Sequence, residues 1–234
     1  MQKQEAIRKI IKSDGKTYSV RVDRRRYFFP DEFNNFIKLF SNKIHKFFFI
    51  TCLHTGGRVM EVLNLKHKDI DIERTTVEFK IVKQRKAKKN FKATGKSRGF
   101  FVASEFIKEY KSFIRNKTIN PGDYIFLNNS KLPEDYNNLD NQERKKYYFS
   151  KVVSYSGMLK RYLKKAGIED WYNFSLHNIR KTYGMWMRTF NIDMYEICYR
   201  MGHDIDTFMT HYGSSLIFSD SEIRKIAQIM GDVK

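Results

Sequence analysis

The sequence predicts an α+β fold that is mainly helical, with a small three-stranded antiparallel sheet at one edge. Three observations carry this. Apolar residues recur at helical spacing in several stretches: Phe33, Phe36, Ile37 and Phe40, then Phe106, Ile107, Tyr110, Phe113 and Ile114, then Ile179, Tyr183, Trp186 and Met187. Residues 69–103 alternate instead and are partly β-branched. A chain of 234 residues with a globular composition is long enough to bury a sizeable core.

Residues 1–29 mix basic residues with a short alternating stretch, Tyr18 to Val22, and end in RRRYFF. They read as an arm or short strand leading into one domain over 30–234. Pro30 suits the first turn of a helix, whose positive end favours Asp31 and Glu32. Ile44 to Leu53 is apolar nearly all round and reads as a buried helix. The pair Gly56-Gly57 ends it, and Arg58 then opens a short helix with Val59, Val62 and Leu63 inward.

The sheet is expected from Ile70 and Ile72, then Val77, Phe79 and Ile81, then Phe101, the last two strands forming a long hairpin. Ser104 is placed to cap the following helix. Residues 128–150 are polar without a sustained period and read as a surface insertion or long loop. A helix over about 151–166 ends at Gly167, and Ser219 with Glu222 has capping-box spacing before a final helix.

The charge balance narrows the partners. With 45 Lys+Arg against 26 Asp+Glu the net charge is +19, which repels itself unless a polyanion is bound. Nucleic acid is the leading candidate and an anionic membrane surface the second. No apolar run approaches a membrane span and no signal-peptide core opens the chain, so we expect an intracellular protein of the cytoplasm or nucleoid. Cys52 and Cys198 lie in apolar helical patterns and read as reduced, structural thiols. His45, His54 and His67 lack partners at metal spacing, so no metal or other cofactor is expected.

Residues 175–213 hold the densest set of reactive groups: His177 three residues before Arg180, the pair Gly202-His203, and Tyr212 nine residues after that histidine. Phosphodiester chemistry without a metal needs such groups: guanidinium for nonbridging oxygens, imidazole for protons and hydrogen bonds, and a hydroxyl nucleophile. Arg58, at a rigid element terminus, either holds a phosphate or caps its turn and pairs with Glu61. Between Phe79 and Ser104 there is no acidic residue but nine basic ones: Lys80, Lys83, Arg85, Lys86, Lys88, Lys89, Lys92, Lys96 and Arg98. Such a run is ordinarily a solvated face. On a hairpin of a chain this basic, it is expected to touch phosphate.

In order along the chain, TGGRVMEVLNLKHKDID, HNIRKTYG, MGH and HYG resemble the boxes of the tyrosine recombinase (integrase) family, spread over residues 55–213. The resemblance implies a catalytic domain over about 30–230 that cleaves and rejoins DNA strands through a 3′-phosphotyrosyl intermediate. It matches Arg58, His177, Arg180 and His203 to the family's site and Tyr212 to its nucleophile. It also implies a lysine from the hairpin, for which Lys86 is our choice and Lys83 and Lys96 the reserves. The other hairpin cations, Arg85, Lys88, Lys89 and Arg98, are then expected on DNA with Lys83 and Lys96. Double-stranded DNA is the implied partner, with four copies of the chain assembling on paired sites and no membrane involved.

Three departures stand out. Gly57 and Met201 replace a larger apolar residue and a leucine, and the residues before Pro30 are too few for the separate helical domain that family members commonly carry. Two other readings stand beside recombination, integration and excision of a mobile element. Type IB topoisomerases use similar chemistry, but typically have lysine where this chain has His177. A DNA-binding protein that has lost catalysis is the third.

Overall fold

In a computed structural model, residues 7–11, 17–21, 27–80, 97–139, 141–168, 171–212 and 218–232 are described. The sheet follows expectation: β3 (Ile70–Asp71), β4 (Thr76–Lys80) and β5 (Ser97–Phe101) form an antiparallel sheet in that order. Upstream, β1 (Ile7–Ile11) and β2 (Thr17–Arg21) pair with each other, so the expected arm carries a hairpin. The helices are α1 (Pro30–Lys38), α2 (Lys43–Thr55), α3 (Val59–Leu63), α4 (Ser104–Ile114), α5 (Asn141–Lys165), α6 (Leu176–Met187), α7 (Met194–Met201), α8 (Ile205–Tyr212) and α9 (Asp220–Met230). None of the described helices is long and apolar enough to cross a membrane.

Helix α2 is the central post. Asn42 caps it by accepting from the Ile44 and His45 amides at 3.0 and 3.4 Å, and Phe47 to Thr55 are all buried. An apolar helix without a polar face must be covered all round, and α6, α4, α1 and α3 pack against it. Phe47 stacks on Phe113 of α4 with centroids 4.8 Å apart, and Phe48 stacks on Tyr155 of α5 at 3.6 Å. Such pairs add about 0.5–1.5 kcal/mol each beyond their buried area. Cys52 and Cys198 are both free and buried.

Helix α6 is the second post, with every residue but His177 buried. The chain enters the domain clipped to it: the Phe28 amide donates to Thr182 Oγ1 at 2.9 Å, and Trp186 Nε1 donates to the Phe28 carbonyl at 3.1 Å. Helix α9 packs on α1 and α4 of its own chain, with Lys225 paired to Asp31 at 2.6 Å. Its capping box forms as expected, the Ser219 amide donating to Glu222 Oε2 at 2.8 Å.

Three expectations need correction. Ser104 does not cap α4; it is the first helical residue after Ala103, and its hydroxyl donates to Glu105 at 2.7 Å. The stretch over 128–150 is not a loop throughout, because α5 begins at Asn141 and Tyr148 is buried. In β5 the inward residue is Phe100, at 5% exposure, and Phe101 is 58% exposed. Since side chains alternate along a strand, this one-residue difference also turns Arg98 inward.

Candidate active site

The site is built from three turns that meet. The first closes α2. Thr55 Oγ1 donates to the Thr51 carbonyl at 2.6 Å and accepts from the Gly57 amide at 3.2 Å, tying the turn to the helix it ends. Gly56 adopts φ +56°, and a Cβ there would stand 2.3 Å from the buried Tyr183 ring. Left-handed backbone and lack of space both call for glycine. Beside it, a Cβ on Gly57 would meet the Phe79 ring at 2.7 Å, so Phe79 fills the room that a larger residue at 57 would need.

Arg58 follows as the N-cap residue of α3. Its backbone amide donates to Glu61 Oε2 at 2.8 Å and its Nη1 to Glu61 Oε1 at 3.1 Å. The pairing with Glu61 weighed from the sequence is therefore present. Yet Arg58 Nη2 reaches across to the Gly202 carbonyl at 2.7 Å, and its side chain keeps 30% exposure. It is anchored at one edge and open at another.

The second turn begins α6. Asn178 reaches back to accept from the Ser175 amide at 2.7 Å, leaving His177 exposed on the first turn and Arg180 buried at 2% exposure. Arg180 donates from Nη1 to the Gly56 carbonyl and from Nη2 to the Met201 carbonyl. It thereby laces the first turn to the third. Arg180 commits two donors to backbone, while Arg58 is the more open.

The third turn joins α7 to α8. Gly202 ends α7 at φ +61°, and a Cβ there would fall 2.3 Å from Arg98 Nη1 and 3.2 Å from Arg58 Nη1. His203 follows, half-buried, its amide donating to the Cys198 carbonyl at 2.9 Å. Burial, then the charges of Arg180, Arg58 and His177, hold its imidazole down to about 3, so it is neutral at working pH. Helix α8 is anchored by fully buried Phe208 and ends at Tyr212, whose backbone the helix carries.

Two further members complete the site: Glu61, which the sequence did not single out as a site residue, and Arg98, which was expected on DNA. Glu61 is almost fully buried under Arg58, and Arg98 of β5, 4% exposed, donates from Nη2 to Glu61 Oε2 at 2.9 Å. Burial alone pushes the Glu61 carboxyl up. The Arg98 charge, the Arg58 amide and the Arg58 charge together hold it below the usual carboxylate range. Arg98 is therefore not the surface DNA contact expected of it. The signal that could have found it is the strand period, since Arg98 shares a face with Phe100. Lys83, Arg85, Lys86, Lys88, Lys89 and Lys96 lie outside the described residues.

The model of the phage integrase family matches residues 28–216. No curated protein matches the chain. Among solved structures it is similar to XerA recombinase, at 21% identity and a TM-score of 0.56, over 89% of this chain and 64% of that one. It is also similar to the Tn1549 transposon integrase in complex with transposon right end DNA, at 17% identity and a TM-score of 0.58, over 90% of this chain and 68% of that one. A third is XerH recombinase bound to difH substrate in a pre-cleavage complex, at 17% identity and a TM-score of 0.52, over 93% and 59%. The chain thus spans about two thirds of the length of the solved structures it matches. At these identities the likeness is one of fold.

Proposed function

The chain belongs to the phage integrase family, and from that premise we propose that it cuts and rejoins double-stranded DNA at specific sites, using Tyr212 as the nucleophile. The observation that carries the reading is the meeting of three separate boxes at one turn: Arg58 donates to the Gly202 carbonyl and Arg180 to the Met201 carbonyl, immediately before His203.

Arg58, open to solvent, is the guanidinium that takes the nonbridging oxygens of the scissile phosphate. Arg180 adds a permanent positive charge from beneath and holds the three turns in register. The Tyr212 oxygen forms a bond to phosphorus as the bond to the 5′ oxygen breaks, giving a 3′-phosphotyrosyl link. His177 and neutral His203 accept or pass the tyrosine proton, and a hairpin lysine, Lys86 by preference, protonates the leaving 5′ oxygen. Attack by a different 5′ hydroxyl reverses the steps and frees Tyr212. Because the ester is conserved, neither ATP nor a metal is called for by this chemistry.

A DNA surface is supported by α5, whose exposed face carries Lys146, Lys160, Arg161 and Lys164 with Gly157 open between them; the helix has one acidic residue, Glu143. Integration and excision of a mobile element, by four copies on paired sites, is the biological role that fits this chemistry.

The test is a suicide DNA substrate that traps the covalent intermediate. We expect a denaturant-resistant adduct with the native chain and none with Tyr212→Phe. No adduct, or an equal one with Tyr212→Phe, overturns the reading. Relaxation of an arbitrary supercoiled plasmid without paired sites would point to a topoisomerase instead.

A further inference from the structure

Glu61 is one carboxylate serving two arginines. The Arg58 amide and Nη1 reach it from the end of its own helix at 2.8 and 3.1 Å, and Arg98 Nη2 reaches it from β5 at 2.9 Å, with Nη1 further off at 3.5 Å. The Glu61 side chain is wholly buried, so these donors replace water entirely. The charges acting on it are those two guanidinium groups. Arg98 is itself held from the far side, its guanidinium 5.7 Å from the Phe79 ring centroid.

We propose that Arg98 is a positioning residue for DNA cleavage: by sharing the Glu61 carboxylate it fixes where Arg58 stands and leaves Arg58 part of its charge for the scissile phosphate. The inference rests on the phosphodiester reading above. A buried carboxylate with a single guanidinium either draws that group into a closed ion pair or takes up a proton and releases it. Each outcome weakens the positive field where the phosphate must lie. With Arg98 in place the carboxylate stays ionised and its charge is divided. The turn that presents the Gly202 carbonyl to Arg58 also rests on both guanidiniums, as the space around Gly202 shows. Arg98 therefore supports Arg58 through Glu61 and stands against the Gly202 turn. It is delivered by β5, whose register against β4 places Arg98 opposite Phe79.

The experiment compares Arg98→Met, Arg98→Lys, Glu61→Gln and the double variant Arg98→Met/Glu61→Gln with the native chain. Single-turnover adduct formation is followed from pH 5.5 to 9, with DNA affinity and thermal unfolding alongside, and the Glu61 carboxyl is titrated by carbon-13 NMR. Arg98→Met should slow adduct formation roughly 10- to 100-fold at neutral pH, with DNA affinity changed less than about threefold. The Glu61 titration should move up, and the rate should acquire a new rise with pH that follows it. Arg98→Lys should recover part of the rate. In the Glu61→Gln background, Arg98→Met should add little, because the two act through one another. A folded Arg98→Met chain with the native rate and pH profile overturns the proposal, as does a full, independent loss in the Glu61→Gln background. If Arg98→Met does not fold, Arg98→Lys decides: it keeps the charge but loses the fork, and a native rate overturns the proposal. If the native chain forms no adduct, the functional reading fails. The NMR titration still tests the sharing of charge, and an unmoved Glu61 then overturns this inference as well.

Discussion

Arg58 Nη2 and the carbonyl of Gly202 meet at 2.7 Å although 144 residues of chain separate them. The contact requires the left-handed turn at Gly202 and the absence of a side chain there. Gly202→Ala should therefore cost about 1–2 kcal/mol in backbone conformation and also push the two guanidiniums apart. We expect adduct formation to fall by at least about tenfold while the unfolding temperature drops only a few degrees. Single-turnover cleavage and thermal unfolding of the same preparation check this.

Arg180→Lys keeps the charge but removes the fork. The two bonds to the Gly56 and Met201 carbonyls come from separate nitrogens of the planar fork, a span that a compact ammonium does not reproduce, and a buried acceptor left unpaired costs about 1–3 kcal/mol. The expected outcome is a loss of order 100- to 1000-fold in cleavage rate together with reduced stability. Arg58→Lys, at the more open position, should lose rate with little change in stability. Urea unfolding and cleavage assays on the two variants separate the cases.

Two imidazoles make stability fall in acid. Burial takes His54 down to about 4, and burial with neighbouring positive charge takes His203 to about 3, against an ordinary value of 6.5. Above pH 6.5 both states hold these rings neutral and no dependence arises. Between 6.5 and about 4.5 the unfolded chain binds protons that the folded chain refuses, so stability drops as pH drops, by up to about 1.4 kcal/mol per pH unit for each ring. Half-buried His203 should contribute less than fully buried His54. Below the ordinary glutamate value of 4.5, Glu61 adds a loss in the same direction. Urea denaturation at pH 7, 6 and 5 measures the slope, and His54→Phe should flatten it.

For the leaving-group proton, substituting Lys83, Lys86 and Lys96 one at a time should single out Lys86. Its loss should be severe on an ordinary substrate and rescued on one with a 5′-phosphorothiolate, whose sulfur leaves without a proton. Failure of rescue at Lys86, with rescue at Lys83 or Lys96, moves the assignment.

Phe28 should be as important to stability as any residue of α2. It is fully buried, and its backbone is bonded on both sides to Thr182 and Trp186. Phe28→Ala is expected to cost about 3–5 kcal/mol, read from the urea midpoint, whereas removing residues 1–26 should cost far less.

The helices that could be read from sequence are those whose burial is one-sided or total. The apolar run of α2 and the spaced aromatics of α4 and α6 leave few other solutions. Helix α5 hid its start because its first ten residues, NQERKKYYFS, hold only three apolar side chains, and packing against the loop before it supplies the rest of the burial. Arg58, His177, Arg180 and His203 stood out by spacing, since each sits at the start of an element or in a turn. Arg98 did not, because a charged residue in a basic run looks solvated. What turns it inward is a partner, Glu61, 37 residues away on another element. A buried ion pair has no sequence period of its own; only the strand register gives it away.

The bulk that Phe79 contributes beneath the Gly57 turn behaves as a volume held in common by two positions. Adding it at 57 while the ring remains overfills the space, and trimming Phe79 while 57 stays bare leaves a void. Gly57→Ala and Phe79→Leu should each destabilise the chain, yet together they should do so by less than their sum. Divergent members of such a fold can then trade size between turn and strand without moving the arginine that follows.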